Sequence, residues 1–368
     1  MQKKHYYLLL AYFESFGSRV VLKLIDKLGS VEKLFTVDES FFYSIKGLKK
    51  NKIKKFLEER KNIHFEKIAE DLNKKNIKYL SINQDGYPRL LKNIYDPPLV
   101  LFYRGIGLKE KQYPLAVVGT RKSSHYGKKI VKKLLRKFDS RFSIISGMAY
   151  GIDAAAHSNA IKNNLYTVAV LGNGVDYIYP PENKKLYEKI IERGTVISEF
   201  LPGSKPKKYR FPMRNRIISG LSKGVLVVEG PQNSGSLITA RTALSQNRDV
   251  FTPPGNIFKP NSRGPHKLLK QGAFVVTKPE DIYEYWKIDK KNKKQKNIDK
   301  KFKFDFSGKE KVILEQMNQF KAINVDELFM KLNGKIPLNK LLSELFKLKM
   351  KGIVEELPGK KFILEENV

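Results

Sequence analysis

The chain has 368 residues, 41% of them hydrophobic, and a formal net charge of +34 from 71 Lys and Arg against 37 Asp and Glu. That length allows two or three domains around a sizeable core, and the apolar content excludes wholesale disorder. With no cysteine, disulfides, thiolate metal sites and cysteine nucleophiles are excluded. The positive excess points to a polyanion, either nucleic acid or an anionic membrane surface, although a chain rich in Lys, Asn and Ile together also reflects AT-rich coding. Placement of the cations therefore matters more than their number.

Met1-Gln-Lys-Lys4 precedes a short apolar stretch, residues 6–12, which Glu14 ends without a small-residue cleavage site. No apolar run approaches the roughly eighteen residues of a membrane span, so a soluble, cytoplasmic protein with no membrane partner is expected. Helical spacing of Leu8, Leu9, Tyr12 and Phe13, then of Val20, Val21, Leu24, Ile25 and Leu28, predicts a helical domain over residues 1–75. Within it Ile45-Lys-Gly-Leu48, followed by Ile53, Phe56 and Leu57, faintly resembles a helix-hairpin-helix, a module that holds DNA phosphates on backbone amides. Lys49-Lys50 stand where its second glycine belongs, so a small helical packing domain is the plainer reading.

Residues 79–82 and 99–103 read as short extended segments, kept from helix by Pro88 and Pro97-Pro98. From residue 114 to 277 apolar strand candidates (115–119, 143–147, 167–171, 195–199, 224–229, 250–252 and 273–277) alternate with helical patterns such as Ile130, Leu134 and Phe138. Continuous apolar strands between helices predict an α/β fold with a mostly parallel sheet covered on both faces.

What ends each strand is informative: Gly119-Thr120-Arg121, Ser146-Gly147-Met148-Ala149, Leu171-Gly172-Asn173-Gly174, Ser198-Glu199-Phe200, Glu229-Gly230 on to Ser236, and Pro253-Pro254-Gly255. Open α/β sheets bind ligands beyond the carboxyl ends of their strands. Glycine lets an anion approach the backbone, and arginine adds charge with a planar fork of donors. Several such turns along one edge predict a phosphate-binding face.

The approach to one of these turns is the most basic. Lys207, Lys208, Arg210, Arg214 and Arg216 fall within ten residues, with Tyr209 and Phe211 among them. Cations interleaved with aromatics suit single-stranded nucleic acid. The following Ser234-Gly235-Ser236 places backbone amides and a helix start where a phosphate can sit. A solvated basic loop with ordinary helix caps is the alternative.

Residues 287–304 are a Lys-rich linker, with nine lysines and two aspartates between 287 and 303. Over residues 305–368, helical patterns at 312–317, 325–332 and 338–348 precede a hairpin around Pro358-Gly359, which predicts a winged helix. Lys340, Lys347 and Lys349 suit a DNA groove, but no Arg or Gln offers bidentate base reading, so protein docking stays equally open.

Standard catalytic signatures are missing from the sequence. There is no GxxxxGK[ST], Gly172-Asn173-Gly174 lacks the third glycine of a dinucleotide fingerprint, and no HExxH or histidine cluster suggests a metal. Asp153 and His157 share a helix face as an acid/base pair or, in the structural reading, as a helix-start charge and a core histidine. Glu199 and Glu229 read as ion-pair partners orienting Arg214 and Arg216.

These residues together resemble the bacterial DNA-processing protein A family, also called Smf. The motifs are Val118-Gly-Thr-Arg121, Ser146-Gly-Met-Ala149 with Gly151-Ile-Asp153, Ala156-His157, Ala169-Val-Leu-Gly172, Tyr179-Pro180 and Ile197-Ser-Glu199. They continue with Phe211-Pro-Met-Arg-Asn-Arg-Ile-Ile218, Ser234-Gly-Ser-Leu-Ile-Thr-Ala240 and Pro254-Gly255, and the lead-in Gly86-Tyr-Pro-Arg-Leu-Leu91 and Asp96-Pro-Pro98 also matches. The resemblance implies an extended Rossmann-like domain, here 76–286, between an N-terminal helical (SAM or helix-hairpin-helix-like) domain and a C-terminal winged helix. It implies a non-catalytic, cofactor-free protein that binds and protects incoming single-stranded DNA in natural transformation. Loading of a RecA-type recombinase and homodimerisation through the Rossmann-like domain are implied with it. By resemblance Arg121 and the basic-aromatic approach at Lys208 and Phe211 bind the strand; with the strand-end turns added, the expected DNA contacts are Gly119, Thr120, Arg121, Ser146, Gly147, Gly172, Asn173, Lys207, Lys208, Phe211, Arg214, Asn215, Ser234, Gly235 and Ser236. Tyr150 departs from the family's arginine after Ser-Gly-x-Ala, exchanging a cation for a ring. Two rival readings stand beside this one: a nucleotide monophosphate hydrolase with Glu229 as its acid, and a winged-helix regulator whose α/β part senses a ligand.

Overall fold

The computed structural model describes residues 1–289, 306–317 and 322–364; from residue 290 onward the expected linker lies outside them. Two compact units result, Met1–Ile288 and Asp289–Val368.

The first unit is built on nine strands: β1 Lys78–Ser81, β2 Val100–Gly105, β3 Tyr113–Val118, β4 Phe142–Ser146, β5 Tyr166–Val170, β6 Thr195–Ser198, β7 Gly224–Val227, β8 Asp249–Thr252 and β9 Phe274–Val275. They form one sheet in the order β1-β2-β6-β5-β4-β3-β7-β8-β9. The seven strands from β6 to β9 are mutually parallel, and β2 and β1 add an antiparallel edge. Every residue of β3, β4 and β5 is buried, as a strand covered on both faces requires. All seven expected strand segments are present. Gly119, Gly147, Leu171 and Glu199 fall just beyond their strands, because the chain leaves the ladder there to form the carboxyl-edge turns.

Strand order fixes where that edge opens. The chain steps from β3 through β4 and β5 to β6 in one direction, then returns to lay β7, β8 and β9 on the other side of β3. The connections therefore diverge between β3 and β7, the switch point at which open α/β sheets hold ligands.

Residues 3–74 carry six helices, from Lys3–Ala11 to Phe65–Lys74. Gly29 closes the second of them in the left-handed conformation, φ +76°, and Asp38 caps the fourth by accepting from Ser40 N at 2.9 Å. Leu8, Leu24, Leu34, Phe42, Ile53 and Phe56 are buried in one cluster with Leu101 and Phe102 of β2. Tyr12 meets Phe102 edge-on at 6.3 Å. The change from helix to strand near residue 75 is thus no break in packing.

The second unit has helices Gly308–Glu315, Val325–Lys331 and Leu338–Met350, with strands β10 Ile323–Asn324, β11 Val354–Leu357 and β12 Lys361–Leu364. The order is β10-β12-β11, all antiparallel; β10 is a strand that the sequence pattern does not signal. Its own core gathers Ile313, Leu328, Leu341, Leu345 and Leu348. Two of the candidate groove lysines are paired with acids, Lys347 with Glu344 at 2.9 Å and Lys349 with Glu356 at 2.5 Å.

Removing the Phe102 ring, fully buried where helices meet sheet, is expected to cost about 3–5 kcal/mol. Trp286, the single tryptophan and part of the first unit's core, reports this: its fluorescence in urea should show Phe102→Ala unfolding at lower denaturant.

Candidate nucleic-acid interface

Beyond the carboxyl ends of β3 and β7 lies an open cleft of about 600 Å³. Ten expected residues line it: Gly119, Thr120, Arg121, Lys208, Phe211, Arg214, Asn215, Ser234, Gly235 and Ser236. One wall is the turn after β3. The opposite wall is the start of the helix Gly235–Ser245, where the Ser234 hydroxyl caps by accepting from Ser236 N at 3.3 Å. A side chain at Gly235 would meet nothing within 4 Å, so an anion has open access to this helix start.

The third wall is the first turn of the helix Arg210–Gly220. Phe211 stands at the rim, its ring 5.5 Å from the Arg121 guanidinium and 5.6 Å from the Tyr179 ring. Below it a Cβ at Gly172 would come within 2.9 Å of Phe211 Cδ1, so glycine is what lets the ring settle there. Tyr179 joins the site without being among the residues expected there; its place in the Tyr179-Pro180 motif was the available signal. Lys208 and Arg121 are both exposed, which leaves two cations and one ring facing solvent across a cleft with a helix N-terminus behind it.

Five expected residues do not line the cleft, and for four of them burial is the reason. Ser146 is fully buried and donates its hydroxyl to Val117 O at 2.6 Å, because the last residue of β4 points into the core. Asn173 is also buried and donates to Gly174 O at 3.0 Å and Tyr177 O at 2.6 Å, tying its own turn together. Gly147 and Gly172 are buried as spacers, the first beneath Arg214 and the second beneath Phe211. Lys207 is exposed but lies on the approach to the cleft.

Arg214 is the main correction among those that do line it. It is 4% exposed and forms the floor, donating to Gly147 O at 2.7 Å and to Val170 O, with Asp153 as its nearby charge. Burial brings its guanidinium down to about 10, so it stays charged at neutral pH while its donors serve carbonyls. Asp153 accepts from Gly147 N at 3.1 Å and Ala149 N at 3.4 Å; burial lifts its carboxyl above the ordinary range against the pull of Arg214. His157 lies behind it, fully buried, with Nδ1 2.8 Å from the Thr167 hydroxyl, which itself donates to Ile144 O. Burial, with the Arg214 charge adding to it, lowers the imidazole to about 3. His157 is part of the interior, while Asp153 reaches the cleft floor beside Arg214.

The two glutamates differ from their expected roles in one case. Glu199 does pair with Arg216, which also meets Asp96 at 3.1 Å. Glu229 pairs with no arginine: it accepts from Ser124 N at 2.9 Å and from the Ser124 hydroxyl at 2.5 Å, bracing the start of the helix His125–Lys137. Tyr150, where the resemblance leads one to expect arginine, donates its hydroxyl to Glu182, and that bond holds the phenol up to about 12. The rim there carries a carboxylate in place of a cation. Among the described residues no group of three or more His, Asp or Glu is placed to hold a metal, and no helix is long and apolar enough to cross a membrane.

A family model described as DNA recombination-mediator protein A matches residues 78–287. The Bacillus subtilis DNA processing protein DprA is 46% identical over 210 residues, 56% of this chain and 71% of the relative. Among solved structures, DNA processing protein A from Streptococcus pneumoniae matches with a TM-score of 0.67 and 35% identity over 77% of this chain and 98% of that one. DNA processing protein A from Helicobacter pylori, solved to describe its single-stranded DNA binding mode, matches with a TM-score of 0.51 and 26% identity over 58% of this chain and 97% of that one.

The buried imidazole gives stability a defined pH dependence. Between about 6.5, its unfolded value, and about 3, the unfolded chain takes up a proton that the folded chain refuses, so stability falls as pH drops through that window. In urea titrations read on Trp286, His157→Gln should lose less stability than the parent between pH 7 and pH 5, the difference approaching about 1.4 kcal/mol per unit of pH.

Proposed function

Since the chain belongs to the DNA recombination-mediator protein A family, we propose that it binds single-stranded DNA in the cleft between the ends of β3 and β7. The observation that supports this most is the joint placement of Phe211, Arg121 and Lys208 around a helix N-terminus. A ring held between a guanidinium and a second ring offers a base one stacking face, and the cations and free amides take the phosphates on either side. The Helicobacter pylori relative, described for its single-strand binding, supports the same ligand.

In this reading the protein takes part in DNA processing during natural transformation, protecting the incoming strand in the cytoplasm and passing it to a RecA-type recombinase. Binding rather than catalysis is the activity, and the engagement of both Glu229 oxygens by Ser124 supports that assignment. Homodimerisation through the α/β domain is part of the proposal. Phe274 and Val275, apolar and exposed on the edge strand β9, offer a surface for it. The C-terminal three-helix unit is read as a winged helix that docks protein or DNA.

Phe211→Ala should weaken binding of an oligothymidine by about 1–3 kcal/mol while leaving the salt slope unchanged. Gly172→Ala should act in the same direction by displacing that ring. Arg121→Ala should instead flatten the slope of log affinity against log salt by roughly 0.7. Anisotropy titrations at several salt concentrations, with duplex as competitor, check all three; wild-type curves for Phe211→Ala and Arg121→Ala would remove this placement. Incubation with nucleotide monophosphates should release no base.

A further inference from the structure

A cleft of about 600 Å³ is the size that holds one drug-sized ligand, so a bound polymer has to continue over the rim. On the side of the Arg121 and Gly230 turns it meets the loop between β8 and the helix Arg263–Lys270. Ile257 is 72% exposed there and Phe258 85%, in contrast to the enclosed rings of the core.

That loop is braced against the cleft walls at several points. Asn261 Nδ2 donates to Lys122 O at 3.2 Å, next to Arg121. Gly230 N donates to Asn261 O at 2.8 Å, and Gly264 N donates to Gly230 O at 2.9 Å. The Tyr126 hydroxyl donates to Pro254 O at 2.8 Å. Within the loop, Asn256 Oδ1 accepts from Phe258 N at 2.9 Å and Asn256 O accepts from Lys259 N at 3.0 Å, a turn that presents residues 257 and 258 at its tip.

The charge around the tip has one sign. Lys122, Lys259 and Arg263 are exposed, and no acidic residue occurs between 250 and 279 or between 119 and 138. An exposed ring flanked by cations repeats the chemistry of Lys208 and Phe211. We propose that the 256–263 loop is a second contact for the same single strand: Phe258 stacks on a base leaving the cleft, Ile257 packs beside it, and Lys259 and Arg263 take the flanking phosphates. This inference rests on the single-strand reading of the cleft and extends its length.

The full chain is titrated by anisotropy with oligothymidines of about two nucleotides, the most a drug-sized cleft holds, and of about twenty, which cross the rim. Phe258→Ala is expected to lower affinity for the longer probe by at least about fivefold and to leave the shorter one unchanged. Phe211→Ala should weaken both. The double variant Lys259→Ala, Arg263→Ala should flatten the salt slope by about 1.4 on the longer probe only. Equal affinity of Phe258→Ala and wild type for the longer probe overturns the second contact while the cleft stands, as does an equal loss on both probes. A change in sedimentation behaviour on Phe258→Ala without loss of DNA affinity assigns the loop to contact between copies and also overturns it. Failure of the wild type to bind either probe removes the parent reading itself.

Discussion

A buried arginine organises the carboxyl edge of the sheet. The Arg214 guanidinium donates to the carbonyls of Gly147 and Val170, the points at which the chain leaves β4 and β5. Those carbonyls lie too deep for water, and an unpaired buried acceptor costs about 1–3 kcal/mol. The cation that satisfies them would be costly alone, and Asp153 stands beside it as counter-charge, itself holding the amides of Gly147 and Ala149. Glycine at 147 follows from this packing: a Cβ there would stand 2.6 Å from the guanidinium nitrogens.

The same anchor sets the site above it. Phe211 precedes Arg214 by three residues on one helix, so the two side chains lie on one face. With Arg214 fixed in the floor, Phe211 is carried to the rim, over Gly172 and between Arg121 and Tyr179. A stacking ring fixed before the ligand arrives loses little side-chain entropy on binding. The cleft is therefore a consequence of how two strand ends are capped.

Charge illustrates why a total says little. Arg214 and Arg216, members of the basic cluster 207–216, are drawn inward to carbonyls and to Glu199 and Asp96. The cations that remain at the cleft are Arg121 and Lys208, with Lys122 beside Arg121 and with Lys259 and Arg263 on the neighbouring loop. Tyr150 and Glu182 add a carboxylate at the opposite rim. The field along this edge is thus asymmetric, more positive from the β3 turn toward β8 than near Tyr150.

Much of this was legible in the sequence because it depends on local pattern. Strands buried on both faces must be continuously apolar, and the segments of β3 to β8 were readable for that reason; β9, whose Phe274 and Val275 are exposed, was readable only as an apolar run. The glycine and serine turns at their ends marked the edge on which the cleft opens, and Ser234 declared a helix start by the chemistry of its side chain. Helical spacing likewise exposed the cores of residues 1–75 and of the C-terminal unit, while β10, two residues long, carried no period to detect. What required the tertiary structure was direction. Nothing in the spacing of Ser146 and Arg214 says that their polar groups turn inward, because the carbonyls that receive them belong to segments distant in sequence. Nor does the sequence say that Glu229 braces Ser124, 105 residues away, in place of an arginine nearby. Polar side chains can be satisfied by water or by buried backbone, and only the assembled sheet decides which.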